Sequence, residues 1–115
     1  MTAKSKIEAK IALIRSPNPS QGMLDAVKKL GGLTKLVEGA QVFIKFNLNL
    51  PQGFPTNVNF EVLGSLVRAC KDAGAEIILA GAFPHGGLTV KSVARHLGLK
   101  SYLESLGAEL IFLDN

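Results

Sequence analysis

The chain has 115 residues and a mass of 12.2 kDa, enough for one domain and too little for two ordinary ones. It is 47% hydrophobic and 19% charged, which excludes disorder, and a domain of this size buries roughly 65% of its unfolded surface without a disulfide or metal staple. The formal charge is +4, and Lys4, Lys6, Lys10 and Arg15 against Glu8 supply four minus one, or +3, of it; such an arm is ordinarily solvated, so nucleic-acid binding is not expected.

Taken in chain order, Ile7 to Arg15 reads as a first strand, with Ile7, Ile11, Leu13 and Ile14 apolar. Ser16 to Gly22 is a loop. Met23 to Leu30 is a short helix with Met23, Ala26, Val27 and Leu30 on one face, ended by Gly31 and Gly32; Leu33 to Val37 adds a further turn. Gln41 to Phe46 is a second strand, and Asn47 to Val58 a long loop. Asn59 then caps a helix in which Phe60, Leu63, Val67 and Cys70 recur at helical spacing, with Gly74 closing it. Glu76 to Ala80 is a third strand, and Gly81 to Leu88 a loop. Thr89 caps a helix carrying Val90, Val93, Ala94 and Leu97, stopped by Gly98. Ser101 and Glu104 stand at capping-box spacing for one more short helix before Gly107. Glu109 to Leu113 is a fourth strand.

Strands alternating with helices imply right-handed crossovers. The expected architecture is a single α/β domain over residues 1–115, with a mainly parallel sheet of about four strands and helices on both faces. Ligands bind such sheets outside the carboxyl ends of the strands. That rule selects the loops Ser16–Gly22, Asn47–Val58 and Gly81–Leu88.

Within those loops Lys45 ends an apolar strand, where its ammonium can hold a phosphate or carboxylate; the plainer alternative is a snorkelling surface lysine. Asn47 and Asn49 frame a turn, the commoner work of Asn. Gln52 to Asn57, including Thr56, forms a polar rim in which Phe54 is a candidate lid. His85 follows Pro84 and precedes Gly86 and Gly87, which permit close backbone approach, and Thr89 opens a helix whose N-terminus favours anions. Lys45, Asn47, Thr56, His85, Gly86, Gly87 and Thr89 are therefore the candidate ligand-binding residues, with His85 the candidate acid or base. No phosphate-binding Gly-rich motif is present. His96 beside Arg95 suits the end of its helix, and Cys70 suits the core. Two histidines ten residues apart, without nearby carboxylate or Cys ligands, make a metal site unexpected, and no cofactor is expected. The longest apolar run, Ile77 to Phe83, is seven residues, so no membrane span is expected; the opening residues lack the apolar core of a signal peptide, and a cytoplasmic location follows as an expectation.

The run Val42-Phe43-Ile44-Lys45-Phe46-Asn47-Leu48 resembles the strand-and-loop signature of the domain of unknown function 362 family. The helix from Glu61 to Ala75, the strand with its Gly81 turn, and the ending Leu106 to Asp114 are similar to that family too, so the resemblance covers nearly the whole chain. It implies a prokaryotic α/β protein, of which this chain corresponds to the amino-terminal half. Some members carry an iron–sulfur segment; with Cys70 alone, no cysteine-ligated cluster is expected here. Gly81-Ala82-Phe83-Pro84-His85 is loosely similar to a turn in lactate racemase-like proteins. Two functions follow as expectations: binding of an anionic small molecule at the carboxyl edge of the sheet, or service as a non-catalytic module of a homodimer or other oligomer. Half of a split or truncated family member is a variant of either. Whether any reaction is catalysed stays open.

Overall fold

The computed structural model describes residues 9–48, 57–83 and 89–113. Its elements run α1 (Pro19–Lys29), α2 (Thr34–Val37), β1 (Gln41–Lys45), α3 (Phe60–Asp72), β2 (Ile77–Ala82), α4 (Val90–Leu97), α5 (Leu99–Ser105) and β3 (Glu109–Phe112). The strands form one sheet in the order β1-β2-β3, every pair parallel. The parallel α/β architecture is the one expected.

Local chemistry sets the helix ends. Asn18 Oδ1 accepts from the Gln21 amide at 3.1 Å, and Pro19 follows at the first helical position, so α1 starts four residues before Met23. Most of the expected Ser16–Gly22 loop is thus helix. Asn59 Oδ1 accepts from the amides of Glu61 at 2.9 Å and Val62 at 3.3 Å, and α3 begins at Phe60. Gly98 takes φ +67°, closing α4 and letting α5 restart at once. That restart places Ser101 inside α5, so its expected capping box with Glu104 does not form.

The expected strand at Ile7 to Arg15 is corrected by the structure. Residues 9–15 form no strand, and Ile11 and Leu13 are 90% and 93% exposed. In the order β1-β2-β3 the outer edges of β1 and β3 carry no further strand among the described residues, so this segment does not extend the sheet. The described sheet therefore has three strands where about four were expected.

Register divides the sheet into two unlike faces. Val42 pairs with Ile78, Ile44 with Ala80, Ala80 with Leu110, and Ala82 with Phe112. These side chains share one face and pack with Leu63, Val67 and Cys70 of α3, Val90, Val93 and Ala94 of α4, and Leu99 and Leu103 of α5 in a single core. Phe43, Ile77, Leu79 and Ile111 point the other way and belong to no part of that core. Helices were expected on both faces. Among the described residues those that enter the core lie on one, because successive crossovers of the same hand along a sheet wound in one direction fall on the same side. α1 rests on α3, outside the core, and buries no residue; the hydroxyl of Ser20 bonds that of Ser65, a buried polar group of α3.

α3 and α5 are joined through one tyrosine. Tyr102 Oη donates to the Phe60 carbonyl at 2.8 Å, and the two rings stack with centroids 5.9 Å apart. Gly64 makes room for that ring: a Cβ there would strike the Tyr102 hydroxyl and stand 3.2 Å from Leu106 Cδ1. Gly64→Ala is expected to destabilise the domain by about 1–3 kcal/mol in urea unfolding, as overpacking does. In a Tyr102→Phe background the obstructing hydroxyl is gone, so the same substitution should cost less there.

Candidate functional site

The carboxyl ends of the three strands define one edge. Lys45 is the last residue of β1 and pairs in register with Gly81 of β2. The Phe46 amide donates to the Gly81 carbonyl at 3.1 Å, carrying the pairing one step further. Burial alternates along this run: Ile44, Phe46 and Leu48 are buried, whereas Phe43, Lys45 and Asn47 are exposed. Lys45 and Asn47 thus stand on the face that the helices leave open. Lys45 Nζ lies 5.8 Å from the centre of the Phe83 ring, a cation–π contact at the end of β2. Phe83 is 55% exposed, and the sequence reading did not single it out as a site residue. Its exposure depends on the contact with Lys45 across β1 and β2, which no local pattern in the sequence reveals.

The Asn47 carbonyl accepts from the Val58 amide at 3.0 Å, which ties the two ends of the long loop together. Asn57, expected on a polar rim, is instead buried at 3% exposure. Thr89 caps α4: its Oγ1 accepts from the Ser92 amide at 3.1 Å, and its carbonyl accepts from Ser92 Oγ at 3.0 Å. Its position is that of a helix cap, as read from the sequence. Thr56, His85, Gly86 and Gly87, together with the candidate lid Phe54, lie outside the described residues. Of the seven candidate ligand residues, the structure therefore places Lys45 and Asn47 side by side on one face and Thr89 at the start of α4.

Two further clefts lie along β3. A cleft of about 370 Å³ opens between α4, α5 and β3, lined by Lys91, Ala94, Arg95, Gly98, Lys100, Ser101, Leu110 and Phe112. A second, of about 480 Å³, runs along β3 between Glu104, Glu109, Ile111 and Lys100. Neither was legible in the sequence, since each draws its walls from separate elements. Among the described residues no three His, Cys, Asp or Glu side chains gather where they could hold a metal ion, and no helix is long and apolar enough to cross a membrane.

A three-stranded parallel sheet with its helices on one side and an exposed lysine at the carboxyl end of its first strand defines a parallel α/β domain with a polar strand-end edge. The family model described as Domain of unknown function (DUF362) matches residues 42–115, and the chain belongs to that family. The match begins at β1, so residues 1–41 lie outside it and the expected coverage of nearly the whole chain was too wide. No curated protein and no solved structure matches the chain significantly.

Cys70 is buried on the core face of α3, and burial pushes its thiol above its ordinary range because the thiolate would lose its solvation. The unfolded chain gives up this proton first, so the contribution to stability is complete below the ordinary thiol value of about 8.5 and falls away as pH rises beyond it. Thermal melts at stepped pH should show wild type losing stability above about pH 8.5 more steeply than Cys70→Ala. Parallel curves would show that the thiol does not contribute.

Proposed function

We propose that this domain is an assembly module whose open sheet face docks on a second copy of the chain. The observation that supports this reading is the pair Phe43 and Ile77, 47% and 45% exposed on the face that no described helix covers. Parallel sheets occur almost only with both faces covered, and large exposed apolar patches mark interaction surfaces. The patch is continuous across the middle strand. A Cβ on Gly81 would stand 3.1 Å from Phe43 Cε2, 3.0 Å from Ile111 Cγ1 and 3.2 Å from Leu113 Cγ, so these three side chains close over the glycine from both flanking strands. A self-complementary apolar face of this kind suits a two-fold interface.

Anion binding at the strand-end edge is the second reading. It is favoured by Lys45, exposed at the carboxyl end of β1, held by a ring and in no ion pair among the described residues. The two readings are compatible, because Lys45 and Asn47 share the open face with Phe43. A ligand there would sit at the rim of the joint.

Sedimentation at high micromolar concentration should give a dimer for wild type and a monomer for Phe43→Asp, with circular dichroism unchanged. A wild-type monomer under those conditions would overturn the homodimer. For the second reading, a thermal-shift panel of phosphate, nucleotides and carboxylates should give a stabilisation that Lys45→Ala abolishes; a ligand at 100 times its dissociation constant adds about 2.7 kcal/mol.

A further inference from the structure

The cleft between α4, α5 and β3 has a composition that a plain surface groove does not need. Its walls carry Lys91, Arg95 and Lys100 and no carboxylate, and its floor is Ala94, Leu110 and Phe112. Lys91 and Arg95 lie four residues apart on α4, neighbours on one face, where like charges repel. Neither has an ion-pair partner among the described residues. Arg95 stands in the last turn of α4, where the helix dipole favours a cation. Lys91 stands in the first turn, where the dipole opposes it, and no acidic residue in that turn relieves it. Lys100 reaches Glu104 only at 3.8 Å, between side chains that are 69% and 55% exposed, which is a weakly held surface pair. Lys91 is thus held here against both local repulsion and the dipole.

The cleft's 370 Å³ falls within the range of small-molecule sites, which combine an apolar lining with a few polar groups that fix orientation. Two unpaired cations, with Lys100 shared with Glu104 beside them, favour a ligand of more than one negative charge, and a guanidinium offers paired donors to a phosphoryl group. The hydroxyl of Ser101 adds a further donor. The apolar floor calls for more than an inorganic ion. We propose that this cleft binds a phosphate monoester with a small apolar or aromatic body, its phosphoryl group between Lys91, Arg95 and Lys100 and its body against Leu110 and Phe112. The site is separate from Lys45 and from the open sheet face, so it does not depend on either reading above.

Phenyl phosphate is a suitable probe, titrated into the ¹⁵N-labelled full chain at constant ionic strength and followed by amide shifts. Saturable shifts are expected at Ala94, Arg95, Gly98, Ser101 and Leu110, with inorganic phosphate binding more weakly at the same amides. Arg95→Gln should weaken phenyl phosphate by about tenfold, as loss of one charge-assisted contact does, and Lys91→Gln should act in the same direction. Both residues are exposed, so both variants should fold, and Lys45→Ala should bind as wild type does. Three results would overturn the proposal: no saturable shift at those amides, binding undiminished in the Lys91→Gln, Arg95→Gln double variant, or inorganic phosphate binding as tightly as phenyl phosphate.

Discussion

The structure depends on the direction in which its sheet is wound. The three strands lie side by side in chain order, and all are parallel. Each strand must therefore be followed by a crossover of the same hand, and each crossover returns over the same side. One core results, between that side and α3, α4 and α5. The middle strand shows how tightly the layers meet: Ala80 and Ala82 are fully buried, and their small side chains let the helices approach the sheet. The same winding leaves the opposite face to Phe43, Ile77, Leu79 and Ile111. Among the described residues no layer covers that apolar face, a direct result of topology that no single residue causes.

That division sorts the residues that carry the family resemblance. Along Val42 to Leu48, alternate positions go to the core and to the open face. Ile44, Phe46 and Leu48 are structural in the ordinary sense, buried under the helices. Phe43, Lys45 and Asn47 stand together on the side that the fold does not use. The polar end of the strand and its exposed aromatic thus belong to the same surface. On the proposed reading, assembly over the face and ligand binding at its edge would be energetically coupled, because each would alter the solvent exposure of Lys45. The basic cleft beside β3 lies on the helix side of the sheet and draws on different residues.

Much of the helical structure was legible in the sequence, because helix ends are decided over four or five residues. Asn59 and Thr89 cap the helices that they were expected to cap, and Gly74, Gly98 and Gly107 adopt the positive φ that ends a helix. Cys70 was placed in the core by spacing alone, and it is buried there. The start of α1 is less legible, because Asn18 and Pro19 suit a loop as well as they suit the cap and first helical position that they form. The candidate site was legible only in part. Lys45 could be put at a strand end from the apolar run before it. The exposure of Phe83, the burial of Asn57 and the cleft that joins Lys91, Arg95 and Lys100 to Leu110 and Phe112 depend on contacts between distant segments.

By itself the sequence determined which segments are helices, where most of them stop, and that the strands joining them run parallel. Those properties follow from periodicity and from caps, which act within a few residues. Only the tertiary structure decided that Ile11 and Leu13 stay outside the sheet, that the helices of the core gather on one face, and that no described residue covers the other. Apolar residues record that a surface is suited to burial; what buries it depends on which surfaces the chain path brings together. Ile77 and Ile78 are adjacent and chemically identical, yet one is 45% exposed and the other 2%, because a strand turns successive side chains to opposite faces and the fold covers one of them.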